Sequence, residues 1–217
     1  MHAFREASEQ LEQYALEFIE QEYGVAGKSP RPYHNVEHTS SAARSARLLA
    51  NAIGLSQRDS LLLTIAAAFH DFVHRGDSDL DNERLSADEA DKKMREYPVF
   101  TDTDIDRVRR MILATHCTAK YPKIVQSPTE EDVLAKILCD ADLSSFGKPY
   151  EEFMKSSDYY FKELYPGVDK DSVQYKKYLE AEIVILGNHE FWTTEASDMF
   201  PHSAKNIQKL QKVVSAF

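Results

Sequence analysis

Cysteine is nearly missing from this chain: Cys117 and Cys139 are the two in 217 residues. No disulfide framework is therefore implied, and both read as free thiols, Cys139 in an apolar run and Cys117 beside a histidine. Glycine is scarce as well, at seven residues. Neither a strand followed by a GxGxxG turn nor a P-loop is present, which excludes the common phosphate-cradling loops. No run of about 18 apolar residues occurs, so no membrane-spanning helix is expected. Residues 1–22 are charged and acidic throughout, so no signal peptide is expected and the chain reads as cytoplasmic. Positive charge is in deficit, 26 Lys and Arg against 36 Asp and Glu, for a net charge of -10. That balance argues against nucleic acid or an anionic membrane as the main partner. It leaves room for a small phosphorylated substrate, because a bound cation reverses the local field.

What the chain does contain is helical periodicity. Residues 4–23 place Phe4, Leu11, Tyr14, Ala15, Phe18 and Ile19 at helical spacing, with Gly24 as a stop. Residues 36–53 form a second helix with Ala42, Ala43, Ala46, Leu49 and Ala50 on its inner stripe and Gly54 at its end. Residues 57–71 are apolar on nearly all sides and predict a central helix. A helix capped by Asn82 or Ser86 runs to about Tyr97 before Pro98, and another starts at Thr101 or Thr103 and ends at His116. Residues 119–129 read as a loop, and helices follow at 130–143, 150–165, 170–188 and 201–215. The aromatics at 153–165 sit at helical spacing and read as core. No β-sheet is predicted, and no repeat or linker interrupts the pattern. The simplest reading is one all-α domain over residues 1–217.

The apolar run Leu61 to Phe69 ends in His70-Asp71. Core helices do not normally finish in an imidazole and a carboxylate, since burying either without a partner is costly. A divalent metal ion partners both. His38 upstream and Asp142 downstream would complete a four-ligand set. Two histidines and two carboxylates would leave the ion near neutrality with positions open for water and a phosphate oxygen. In Tyr33-His34-Asn35-Val36-Glu37-His38 the two histidines stand four apart, which on a helix puts both on one face. Pro32 fits the start of that helix, whose N-terminal dipole favours an anion.

These residues resemble the HD-domain superfamily of metal-dependent phosphohydrolases. Tyr33-His34-Asn35 with His38 is similar to the opening motif of cyclic-nucleotide phosphodiesterases. Asn82-Glu83 with Ser86-Ala87, Thr115-His116, Asp140-Ala141-Asp142-Leu143 and Phe191-Trp192-Thr193 are similar to a bacterial group of predicted HD phosphohydrolases. The resemblance covers most of residues 30–205 and implies a compact helical bundle, with the metal-site core at about 30–145 and C-terminal helices at 150–217. It implies His38, His70, Asp71 and Asp142 as metal ligands, Asp71 also as catalytic, and His34 as a general acid. His74, Glu83 and His116 are candidates for supporting residues or for a second ion. The implied activity is hydrolysis of a phosphomonoester or phosphodiester, with a nucleotide as the favoured substrate, by a metal-activated water. The cofactor would be one or two divalent ions, from Mn, Mg, Co, Zn and Fe.

Plainer readings stand beside these. Asp142 reads equally as a helix-end residue, His38 as a half-buried helix histidine, and His34 as packing beside the site. His74 reads as a loop residue, Glu83 as a surface partner of Arg84 or Lys93, and His116 as a helix C-terminal cation. Two other functions remain in view. Some HD-domain proteins resemble di-iron oxygenases, which would need His74, Glu83 or His116 around a second iron. A non-catalytic nucleotide- or metal-binding module would need no open metal position. Oligomeric state is open, a homo-oligomer included.

Overall fold

Leu62 to Phe69 are all buried, which is why one helix has to lie at the centre with others wrapped round it. The computed structural model describes residues 1–75, 81–120 and 122–217, with the backbone alone at 119 and 120. In chain order the helices are α1 (His2–Tyr23), α2 (Val36–Ile53), α3 (Gln57–Phe69), α4 (Asp81–Met94), α5 (Asp102–Ala114), α6 (Val133–Asp142), α7 (Tyr150–Leu164), α8 (Val173–Asn188), α9 (Thr194–Met199) and α10 (Ser203–Ser215). The fold is all-α, as the periodicity predicts. Among the described residues no helix is long and apolar enough to cross a membrane.

Local chemistry sets the helix ends. Asn35 Oδ1 accepts from the Glu37 and His38 amides and starts α2, while Gly54 ends it in the left-handed region at φ 77°. Thr101 and Asp104 form a reciprocal capping box on α5, and Arg58 of α3 forks onto the same Asp104 carboxylate. The alanine stripe of α2 (Ala42, Ala43, Ala46, Ala50) is fully buried, so small side chains bring α2 close to α3 and α6.

Two hydrophobic clusters result. The larger is gathered round α3 and takes residues from α1, α2, α4, α5, α6 and α9. The smaller joins Phe153 and Phe161 of α7, Tyr175, Tyr178, Leu179 and Leu186 of α8, and Leu210 of α10. A 3-10 turn, Leu143–Gly147, links them directly after Asp142. Gly147 is required there: a Cβ would run into the Phe200 carbonyl, and the Gly147 carbonyl accepts from His202 N–H at 3.0 Å. Buried Asp140 anchors the late aromatic stretch, accepting from the Trp192 amide at 2.7 Å and the Thr193 amide at 2.9 Å. Burial lifts its carboxyl to about 6.

One expectation is corrected. The segment read as a loop with no sheet contains a two-stranded antiparallel hairpin, β1 (Thr118–Lys120) and β2 (Lys123–Val125), with Thr118 opposite Val125. Three-residue strands are too short to show an alternation, although Thr118, Ile124 and Val125 are β-branched. The six-residue α9 is likewise too short to register as a period.

Candidate metal centre

Helix ends deliver each donor to one point. His38 is the third residue of α2, in the turn that Asn35 caps; His70 and Asp71 follow the last residue of α3; Asp142 ends α6. His38 Nε2 lies 3.2 Å from His70 Nε2, 3.2 Å from Asp71 Oδ2 and 3.2 Å from Asp142 Oδ1. His70 Nε2 lies 3.1 Å from Asp71 Oδ2 and 3.4 Å from Asp142 Oδ1. Metal–ligand bonds of about 2.1 Å set neighbouring donors about 3.0 Å apart in an octahedron and about 3.4 Å apart in a tetrahedron. The separations from the two imidazoles fit that range: His38, His70 and Asp71 set their donor atoms within 4.8 Å of one another, as a divalent cation needs, and Asp142 adjoins the group through both imidazoles.

Two further observations agree. Asp71 Oδ2 is buried and, although close to both imidazoles, meets hydrogen-bond geometry with neither; a carboxylate oxygen left so is costly unless a cation faces it. His70 Nδ1–H donates to the Ala67 carbonyl at 2.8 Å, which fixes the tautomer and turns the Nε2 lone pair toward the other donors. Burial pulls the His38 and His70 imidazoles down, but Asp142 and Asp71 outweigh it and both stand above their ordinary value. Burial pushes Asp71 and Asp142 up, and the histidines hold them below the usual carboxylate range. A cation bound among these four groups would displace protons from the imidazoles. Buried Gln126, which nothing in the sequence singled out, donates Nε2–H to Asp142 Oδ2 at 2.9 Å and to the Thr115 carbonyl at 3.3 Å, fixing the carboxylate from behind.

His34 does not lie on α2. The helix begins beyond the Asn35 cap, so the four-residue spacing does not put both histidines on one helical face, although their rings remain 5.8 Å apart. His34 is held instead by Glu163 of α7. The Glu163 carboxylate accepts from the Tyr33 amide at 2.9 Å, the His34 amide at 3.1 Å and His34 Nδ1 at 2.6 Å. Burial pushes Glu163 up, but the His34 hydrogen bond and charge bring it down to about 2. His74 stacks on His34 with ring centroids 3.9 Å apart, and its buried Nδ1 has no hydrogen-bond partner. His34, His74 and Glu163 bring donor atoms together, but a 2.6 Å contact leaves no room for a cation between His34 and Glu163. Glu83 pairs with His116 at 3.3 Å, while Arg84 pairs with Asp81 and Lys93 with Glu96.

Beside the four donors opens a cavity of about 390 Å³, within the range of small-ligand sites. His34, Asp142 and Cys117 bound it on the metal side; one face each of α7 and α8 forms its walls. Of the aromatics read as core at 153–165, Phe153 and Phe161 are fully buried, Phe153 with one side toward this cavity, whereas half-buried Tyr160 and Tyr165 line it.

An all-helical bundle whose central helix ends in His-Asp, completed by a histidine before it and an aspartate after it, is the architecture of an HD domain. The chain belongs to that family: the HD-domain family model matches residues 35–146. Among solved structures, the phosphodiesterase domain of Salpingoeca rosetta rhodopsin phosphodiesterase has the same fold. Its TM-score is 0.70 at 18% identity, over 96% of this chain and 82% of that one. No curated protein sequence matches the chain. Family membership supports a metal-dependent phosphohydrolase in general terms, acting on a small phosphorylated substrate.

Proposed function

We propose that the protein hydrolyses a phosphomonoester or phosphodiester of a nucleotide. His38, His70, Asp71 and Asp142 would hold the metal, and His34 would act as general acid. The carrying observation is the convergence of His38 Nε2, His70 Nε2, Asp71 Oδ2 and Asp142 Oδ1, each 3.1–3.4 Å from its imidazole neighbours. A divalent cation bound there supplies Lewis-acid polarisation of the phosphoryl group and water of lowered pKa. The remaining work falls to the chain. His34 keeps a proton on Nδ1 by donating to the ionised Glu163, and delivers the proton on Nε2 to the departing alkoxide. Glu163, by binding the Tyr33 and His34 amides as well, fixes the loop that carries the acid. His74, flat against His34, limits the ring's rotation, and the cavity walled by α7 and α8 seats the leaving group. Residues 1–217 would act as one unit, the metal from the core and the cavity from the C-terminal helices.

The pairing of Glu83 with His116 and the stacking of His74 on His34 favour hydrolysis over a six-ligand di-iron site. The test is a panel of phosphate esters with Mn, Mg, Co, Zn or Fe, with metal content measured on the protein as isolated. Phosphate or alcohol release is expected from at least one ester, and Asp71→Ala is expected to abolish it. Undiminished turnover by Asp71→Ala would overturn the assignment.

A further inference from the structure

Glu182 is an ionisable side chain that the proposed reaction does not use. It stands on α8, is 5% exposed, and lines the same cavity that His34 and Asp142 bound on the metal side. Burial lifts its carboxyl to about 7 even though the Ser157 and Tyr178 hydroxyls hydrogen-bond to it. Those two hydroxyls are 3.2 Å apart, and the Tyr178 hydroxyl also lies 3.0 Å from the Ser157 carbonyl, so they form one connected patch.

The proton count of the patch is informative. Each hydroxyl brings one proton, the Tyr178 proton is contested by Ser157 and Glu182, and the Glu182 carboxyl carries one of its own below about 7. The acceptors are two carboxylate oxygens, two hydroxyl oxygens and a carbonyl. A buried site with more acceptors than protons is complemented by a ligand that arrives with N–H donors. The neighbouring walls are flat: Tyr33, Phe146, Phe153 and Tyr160 line the cavity, and aromatic rings favour a planar guest.

We propose that Glu182, Ser157 and Tyr178 recognise the leaving group, selecting a planar nitrogen heterocycle with two adjacent N–H donors, as on the guanine edge. This rests on the hydrolytic reading of the metal centre, which makes the cavity the seat of the leaving group. Glu182 becomes the residue that sets base preference: once its proton is released, its two oxygens accept both N–H groups side by side, as a carboxylate accepts the paired donors of a guanidinium. An adenine edge, with one donor and one acceptor, matches the protonated carboxyl instead, whereas the ionised one, present above about 7, would face a ring lone pair and reject it.

The experiment separates recognition from chemistry by using nucleosides, which carry no phosphate to release. Dissociation constants of guanosine, inosine and adenosine are measured by NMR titration on the metal-loaded protein at a pH above 7, where the Glu182 carboxyl is ionised. Guanosine is expected to bind about tenfold tighter than inosine, which lacks one donor, and about 100-fold tighter than adenosine. Glu182→Gln, checked for folding by circular dichroism, is expected to bring guanosine and adenosine within about threefold, since an amide presents one donor and one acceptor. Equal affinities for the three nucleosides in the wild type overturn the proposal, as does a guanosine preference that Glu182→Gln leaves unchanged. Phosphate release from the ester panel is scored separately. A guanine preference without turnover of any ester sustains base recognition and overturns the hydrolytic reading, whereas turnover indifferent to the base does the reverse.

Discussion

Replacing Glu163 by glutamine asks whether the His34–Glu163 pair handles a proton or only braces a loop. The amide keeps one oxygen to accept from the Tyr33 and His34 amides, so the loop stays in place. What it loses is the charge facing His34 Nδ1 across 2.6 Å. A hydrogen bond to a charged partner is worth about 1.5–3 kcal/mol, which corresponds to roughly 10- to 150-fold in rate if it acts fully in the transition state. That lies at or below the lower end of the roughly 10²–10⁴ a positioned general acid contributes, so His34→Ala is expected to cost more than Glu163→Gln. The loss should depend on the leaving group. An ester that expels an alkoxide needs the proton, whereas p-nitrophenolate departs without one. The assay is kcat/KM for both ester types in wild type, Glu163→Gln, His34→Ala and the double variant. The alkoxide ester should lose its full factor and the p-nitrophenyl ester only a few-fold. The double variant should be no slower than His34→Ala, because the two residues act as one. Equal losses on both esters, or additive losses in the double variant, would show that Glu163 is a brace and His34 not an acid.

Three further outcomes are expected. Gln126→Leu removes the donor to Asp142 Oδ2 while keeping the side chain's bulk; divalent-metal affinity should fall about 10- to 100-fold in chelator competition, and unchanged affinity would contradict the supporting role. Glu182, raised to about 7, holds a proton when folded that the unfolded chain releases near the ordinary value of 4.5. The folded state therefore binds more protons between those values, and stability falls as pH rises through that window, by about 3 kcal/mol in all. Half-buried His189, lowered to about 4, works in the opposite direction, so the quantity to measure is the difference in unfolding free energy between wild type and Glu182→Gln across pH 4.5–7; a flat difference refutes it. Gly147→Ala drives a Cβ against the Phe200 carbonyl. It should cost at least the roughly 1–3 kcal/mol of an overpacked site, read as a lower thermal midpoint, and an unaltered midpoint would deny the close approach.

The helices were legible where local chemistry marks them. The bounds of α2 are read from its alanine stripe and Gly54, and α3 from a run with no polar face. Thr101 was one of two candidate starts for α5, and the capping box with Asp104 decides between them. The hairpin and α9 escaped because neither is long enough to repeat a pattern. At the site, His70-Asp71 is conspicuous because it breaks the polarity of its own helix, and the structure brings His38 and Asp142 to it. Glu163 carries no such mark. It is one acidic residue among 36, 129 residues from His34, and only folding makes them neighbours. Gln126 and Glu182 were hidden for the same reason: their roles lie in what they face across the fold, which periodicity does not encode.

The match to the HD family ends at residue 146, just where the turn through Gly147 hands the chain to α7. The four proposed metal donors lie inside that span, while Glu163, Glu182 and most of the cavity wall lie beyond it. On the proposed reading, reactivity and selectivity would be written on separate stretches of polypeptide joined by one tight corner. A lineage could exchange the faces of α7 and α8 and acquire a new substrate while its metal chemistry stayed intact, so long as the glycine at that corner and the carboxylate gripping His34 were kept.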